Sequence, residues 1–251
     1  MVTTAEGAYT TTHPKLRARV TAGVCALKPA LTKALPGSVL YWTVDTGNYF
    51  DYGEMITKQC VDMFLDMDYC LCKPDSRANA PLARVNRTAE IFKGYGVPPE
   101  KLGIVFPWFG CDFVCDPAGG DSCKNVVAKP QSERILPGDS NNGNTPHGGD
   151  GCGVGVDAGP GIGEVYQLLP NATQPVQLSV VPDFTKHFTW KNGSGGLHEV
   201  WYDDAQTMAV KMAAAKQIGL RGVGMWTSDA TMWNASLAKE MWAAVPTPAK
   251  A

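Results

Sequence analysis

Four short runs of mainly apolar and aromatic residues, separated by helical stretches, constrain this chain most strongly. Residues 38–45, 61–69, 101–109 and 220–226 are each too short for a buried helix and read as strands. The first is nearly continuous in apolar side chains, which predicts burial on both faces, as in a parallel sheet. A helix precedes it. Thr12-His13-Pro14 supplies a start, and Leu16, Val20, Val24, Leu27, Leu31 and Leu35 then recur as one apolar stripe, with Pro29 expected to kink it. A second helical stretch covers 85–95. A third carries Met208, Met212, Ala215 and Ile218 between a cap at Asp203 or Asp204 and a stop at Gly219, and a last one lies near 236–245 with Leu237, Met241 and Val245. Strand and helix alternating at these lengths predict parallel βα units, an α/β fold.

Residues 111–202 interrupt that alternation. Their first part is rich in Gly, Asp, Asn and Pro, and their second ends in a predicted hairpin: Phe188 and Trp190 alternate with polar residues, Asn192-Gly-Ser-Gly-Gly196 turns, and Leu197, Val200 and Tyr202 return. Such a long insertion is expected to be functional or lid-like.

Composition narrows the class. Twenty-two Lys and Arg against 24 Asp and Glu leave a net charge of −2, which gives no field to recruit nucleic acid or an anionic membrane surface. No apolar run approaches the roughly 18 residues of a membrane span. Eight cysteines are many for a cytosolic chain. Cys60, Cys72, Cys111, Cys115, Cys123 and Cys152 are disulfide candidates, because Cys70-Leu-Cys72 and Cys111-x₃-Cys115 are not followed by the second pair that a zinc site needs; no metal and no cofactor are expected. Asn86, Asn171, Asn192 and Asn234 each begin an N-x-[ST] acceptor, which also points to the secretory pathway. Met1–Pro14 has neither a basic nor an apolar segment of a signal peptide. Either the protein is cytosolic, or the sequence begins downstream of its true start. Nothing in it fixes an oligomeric state.

Tyr69, Trp108 and Trp226 fall at the C-terminal ends of predicted strands, where α/β folds place their sites, and together would make an aromatic floor for a sugar or another flat ligand. Taken singly, each also suits a core position. Asp62, Asp66 and Asp68 share one strand and read as hydrogen-bonded polar residues of a barrel, since no second carboxylate stands at glycosidase separation. The four histidines, 13, 147, 187 and 198, lie in no catalytic motif, and Gly151-Cys-Gly-Val-Gly155 follows no strand and is not a nucleotide loop.

At these strand ends the sequence resembles glycoside hydrolase family 18, and within it the lysosomal di-N-acetylchitobiase branch. Met67-Asp-Tyr69 is similar to the family's M-x-Y-D strand end, Gly103-Ile-Val-Phe-Pro-Trp-Phe-Gly110 to its G-x-P-W-Y-G strand, Val200-Trp-Tyr-Asp-Asp204 to its V-x-Y-D segment, and Leu220-Arg-Gly-Val-Gly-Met-Trp226 to its closing strand. Ala78-Asn-Ala-Pro81 and the spacing of Cys115, Cys123 and Cys152 resemble the chitobiase branch. The likeness runs in order over about residues 12–245.

The resemblance implies a TIM (β/α)₈ barrel, here a partial one holding about strands five to eight across 1–251, with 111–202 as a Cys-rich α+β insertion between the last two strands. It implies hydrolysis of β-1,4-linked N-acetylglucosamine oligosaccharides, chitobiose or chitin fragments, by substrate assistance, in which the substrate's acetamido oxygen attacks the anomeric carbon. Tyr69 would position that acetamido group, and Met67, Tyr69, Trp108, Asp203 and Trp226 would line the sugar site. It also implies a lysosomal or extracellular location. The departures are specific. No D-x-x-D-x-D-x-E motif, source of the family's general acid Glu, occurs in the 251 residues, Cys70 replaces the Asp of M-x-Y-D, and Phe109 replaces the Tyr of P-W-Y. The missing motif and an export signal are expected upstream of Met1, and the chain alone is expected to be inactive. The alternative is a catalytically inactive, lectin-like binder of chitin oligosaccharides.

Overall fold

A computed structural model of the chain describes residues 14–69, 77–119, 123–127, 157–180 and 182–246. The chain divides into two compact units. One comprises residues 1–68, 85–105 and 214–224, the other residues 69–84, 106–213 and 225–251.

In the first unit the expected helices and strands form. Helix α1, Pro14–Ala34, runs through Pro29 without a break. Its stripe is only partly used: Val24 is buried with Thr21, whereas Leu27 and Leu35 are exposed. Strand β1, Tyr41–Val44, is followed by α2, Tyr52–Thr57, whose first turn is capped by the Asp51 carboxylate accepting the Glu54 N–H. Strand β2, Met63–Met67, leads to α3, Leu82–Gly94, and β3, Leu102–Pro107. Tyr52 sits at the centre of the core. Its ring stacks on Tyr95 and meets Phe50, Phe64 and Phe92 edge-on at 5.2–5.7 Å, an arrangement favoured by ring quadrupoles beyond simple burial.

β1 pairs parallel with β2, Tyr41 opposite Met63, and β2 with β3, Phe64 opposite Leu102. β10, Gly222–Trp226, adds on the far side of β3 to give the order β1-β2-β3-β10. The sheet does not close into a barrel among the described residues. The expectation that residues 38–45 are buried on both faces fails for β1, where Tyr41 is 51% exposed and Thr43 is also exposed. The physical reason is position: β1 is an edge strand, and helices cover only one face of it.

The disulfide Cys25–Cys60 ties α1 to the segment before β2 across 35 residues. Sequence reading had not placed Cys25 among the candidates. Replacing both cysteines by serine is expected to cost about 3–4 kcal/mol through the freed loop entropy of the unfolded chain. A urea titration without reductant, wild type against double variant, measures it.

The second unit is built on an antiparallel sheet. The run expected over 101–109 ends at Pro107, and after Trp108 alone the chain starts a new strand, β4, Phe109–Cys115. With β5, Val126–Val127, β6, Asp157–Gly161, β7, Gln177–Ser179, β8, Thr185–Lys191, and β9, Leu197–Tyr202, it forms a six-stranded sheet ordered β5-β4-β9-β8-β7, with β6 paired to β4. Helix α4, Ile162–Leu168, follows β6 directly. Gly110 is required where β4 meets β9, since a Cβ there would lie 2.6 Å from the Trp201 carbonyl oxygen. Cys115 bonds Cys123 across the β4–β5 turn, and Cys111 is also disulfide-bonded. Cys72 and Cys152 lie outside the described residues.

The β8–β9 hairpin turns where the Asn-Gly-Ser-Gly-Gly segment predicted it. Asn192 Oδ1 accepts from the Ser194 and Gly196 N–H groups and the Ser194 hydroxyl, and Gly195 takes φ +85°. Its Nδ2 lies 3.1 Å from His198 Nε2, and His198 Nδ1 lies 2.9 Å from Asp112. Helix α5, Ala205–Ile218, begins at Asp204, whose carboxylate accepts the Gln206 and Thr207 N–H groups, and stops at Gly219 with φ +83°. Helix α6, Ala235–Ala243, is capped by Asn234.

Candidate functional site

The aromatic residues expected at the strand ends are placed very differently from one another. Trp226 closes β10 with its side chain 39% exposed, and the peptide bond that follows it is cis. The Trp108 N–H donates to the Trp226 carbonyl at 2.8 Å, and the Trp108 carbonyl accepts from Ile162 N–H at 2.9 Å. Trp108 therefore anchors the segment but offers no surface. Its ring is fully buried, edge-on to the half-exposed Trp242 at 5.2 Å. Tyr69 follows β2 and is half-buried, its ring edge-on to Phe109 at 5.8 Å. Asn79, fully buried, donates to the Phe109 carbonyl at 3.0 Å and holds that residue in place. Met67 ends β2 half-buried.

Asp203, expected to line the sugar site, is buried, and both its oxygens accept from the fully buried ammonium of Lys211 at 2.6 and 2.7 Å. Lys211 Nζ also lies 2.9 Å from Thr185 Oγ1. Burial raises the Asp203 carboxyl above its ordinary range while Lys211 pulls against it. Lys211 itself was missed, although it was legible: it lies on the buried face that Met208, Met212 and Ala215 define.

The remaining acids are engaged too. Asp62 pairs with Lys28 and accepts the Leu40 N–H, and Asp68, buried on the helix-facing side of β2, accepts the Thr88 hydroxyl at 3.1 Å. Among the described residues no group of three or more His, Cys, Asp or Glu side chains could hold a metal ion. Three of the acceptor asparagines are exposed: Asn86 on α3, Asn171 and Asn234. Asn192 is half-buried in its turn.

A second polar cluster lies on the antiparallel sheet. Glu199 accepts from Arg77 at 2.6 Å and from the Trp201 indole at 2.8 Å, and His187 stacks on Trp201 with centroids 4.3 Å apart and Nδ1 3.7 Å from Glu199. Burial lowers the His187 pKa, and Arg77 adds to this against the pull of Glu199. A histidine depressed in the folded state binds its proton more readily when unfolded, so stability falls as pH drops through the unfolded value of about 6.5. Replacing His187 by Phe, which keeps the stack, is expected to remove that part of the acid dependence. Thermal midpoints of both proteins at pH 7.5 and 5.5 measure the difference.

In chemical terms the strand ends offer aromatic faces, one phenol and backbone groups. An aromatic set of this kind suits stacking against a ring.

Comparison with known proteins adds the lineage. The pattern for glycosyl hydrolases family 18 matches residues 21–230. Di-N-acetylchitobiase of Rattus norvegicus is 27% identical over 177 residues, covering 67% of this chain and 42% of that protein. The chain thus spans less than half the length of that relative. Among solved structures, YKL-39, determined in the presence of chitooligosaccharides, superposes with a TM-score of 0.61 at 16% identity, covering 92% of this chain and 66% of that one. The chitinase-like agglutinin of Robinia pseudoacacia superposes with a TM-score of 0.59 at 19% identity, over 92% and 61% of the two chains. These likenesses establish a TIM-barrel-like fold.

Proposed function

The chain belongs to glycosyl hydrolases family 18, and on that premise we propose that it is the sugar-orienting part of a chitobiase-like glycosidase acting on β-1,4-linked N-acetylglucosamine oligosaccharides. The observation that carries this reading is Trp226, a large aromatic left 39% exposed at the end of a parallel strand while its neighbour Trp108 is buried behind it. An indole face so placed stacks against the apolar face of a pyranose ring. The Tyr69 hydroxyl holds the acetamido group, so that its carbonyl oxygen attacks the anomeric carbon and the protein need supply only one acid.

That acid is the family's Glu, and its motif is absent from these 251 residues. The chain by itself therefore binds without turnover, which is also the behaviour of the second reading, a lectin-like protein of the same family. The Cys25–Cys60 and Cys115–Cys123 disulfides suit an oxidising compartment, and the reading places the protein in the lysosome or outside the cell. No helix among the described residues is long and apolar enough to cross a membrane. Isothermal titration with chitobiose and chitotetraose tests binding. Measurable affinity that falls at least tenfold in Trp226→Ala supports the site, and no binding by the folded chain overturns it.

A further inference from the structure

Asn79 lies in the same compact unit as Tyr69 and takes no direct part in the binding scheme above. Its side chain is 1% exposed, and its Nδ2 donates to the Phe109 carbonyl at 3.0 Å. That carbonyl stands at an irregular point of β4. The pairing of β4 with β6 shifts register between Phe109 and Cys111, and such a bulge takes backbone groups out of the regular ladder. A buried carbonyl at a bulge needs a partner from elsewhere, and a side-chain amide supplies one.

The short segment that carries Asn79 is pinned on both sides. Arg77 donates to the Glu199 carboxylate at 2.6 Å and to the carbonyls of Cys123 and Lys124, each at 2.9 Å. The Leu82 N–H donates to the Asp183 carbonyl at 2.8 Å. Ala78 and Ala80, on either side of the asparagine, are fully buried. An amide held in this way acts as a fixed donor, because its supporting residues are locked by packing and hydrogen bonds of their own. Phe109, which it holds, is 3% exposed, and its ring meets the Tyr69 ring edge-on at 5.8 Å. With no hydroxyl, Phe109 reaches Tyr69 through the ring alone. One residue back, the Trp108 N–H and carbonyl are bonded to Trp226 and Ile162, and neither bond involves Asn79.

We propose that Asn79 is a positioning residue that sets the angle of the Tyr69 phenol, and with it the preference of the site for an acetamido group over a hydroxyl. The contacts run from the Asn79 amide to the Phe109 carbonyl, and from the Phe109 ring to the Tyr69 ring. The inference rests on the sugar reading given above, in which Tyr69 holds the acetamido group and Trp226 the face of the sugar ring. The phenol oxygen lies at the far end of its ring, so a small tilt carries it out of hydrogen-bonding geometry, which is strict in distance and angle. Burial of a sugar face on an indole is far less directional. Without the Asn79 donor a buried carbonyl is left short of a partner, and β4 relaxes at its bulge to satisfy it. Selectivity therefore falls while stacking survives.

Titration of the full chain with chitobiose, and displacement of that sugar by cellobiose, which carries a hydroxyl where chitobiose has the acetamido group, give the preference as a ratio of affinities. In Asn79→Leu, which keeps the volume and removes the donor, the ratio is expected to fall about fivefold, the worth of one hydrogen bond, with the cellobiose affinity unchanged. General loosening of the fold would lower both affinities together. In a Tyr69→Phe background the same substitution is expected to leave the ratio where Tyr69→Phe alone puts it, because it acts through the phenol. Should Asn79→Leu fail to fold, Phe109→Leu, which keeps the carbonyl and removes the ring edge, is expected to lower the ratio in the same way. A ratio unmoved in a folded variant that still binds chitobiose, a parallel loss of both affinities, or effects of Asn79→Leu and Tyr69→Phe that simply add would overturn this proposal alone. No chitobiose binding by the wild type would overturn it together with the sugar reading.

Discussion

The purified chain is expected to release no N-acetylglucosamine from chitobiose above the buffer rate, while still binding the sugar through Trp226. The leaving alkoxide needs a proton in the transition state, and a positioned general acid contributes about 10²–10⁴-fold. Three of the carboxylates are committed to other partners. Asp203 is held by Lys211, Asp68 accepts from Thr88 on the helix-facing side of β2, and Asp62 is paired with Lys28. Tyr69 is proposed to position the acetamido group, not to supply that proton. Chromatographic product analysis after long incubation is the measurement. Turnover by the 251-residue chain that survives Tyr69→Phe would mean that both the acid and the sugar site lie elsewhere.

Replacing Lys211 by Met is expected to lower stability by about 3–5 kcal/mol, the usual cost of leaving one member of a buried ion pair alone. Asp203 then has no ammonium to offset its burial, and only neutral hydroxyls, those of Thr185 and Thr207, are named among its remaining partners. The sign of the pH dependence follows. A carboxyl raised by burial keeps its proton more readily in the folded state, so the loss grows as pH rises through the ordinary carboxyl range near 4 and shrinks on acidification. Combining Lys211→Met with Asp203→Leu removes both charges and should recover most of the loss. Urea midpoints at pH 7 and 4.5 for the three proteins decide the matter.

The parts of this molecule that could be read directly are those specified locally. α5 was legible at both ends because a carboxylate cap and a glycine stop bracket an apolar stripe, and the β8–β9 hairpin because its turn segment lies between alternating residues. Long-range pairing was not legible. β4 was absorbed into the run ending at Phe109, since no Gly-Pro or Asn-Gly signal marks the change of sheet at Trp108. β6, Asp157–Gly161, has a turn-like composition and becomes a strand only by pairing with β4. At the site the strand-end positions of Tyr69 and Trp226 could be read, but exposure could not. Trp108 and Trp226 look alike in sequence and differ from fully buried to 39% exposed because different neighbours cover them. The burial of Asp203 could not be read for the same reason: its partner Lys211 is eight residues away, along the helix that follows.

The turn at Asn192 serves two chemistries with one side chain. Its oxygen is committed to the backbone of the turn, which fixes the amide's orientation and leaves its nitrogen pointing at His198. That nitrogen is the atom to which an N-linked glycan would attach. A glycan there would have to share the atom with the contact that links the hairpin, through His198, to Asp112 on β4. At Asn234 the helix cap uses only the oxygen, and the nitrogen stays clear of it. Were a glycan added at Asn192, the order of decoration and folding would matter, because the closed turn engages both ends of the amide.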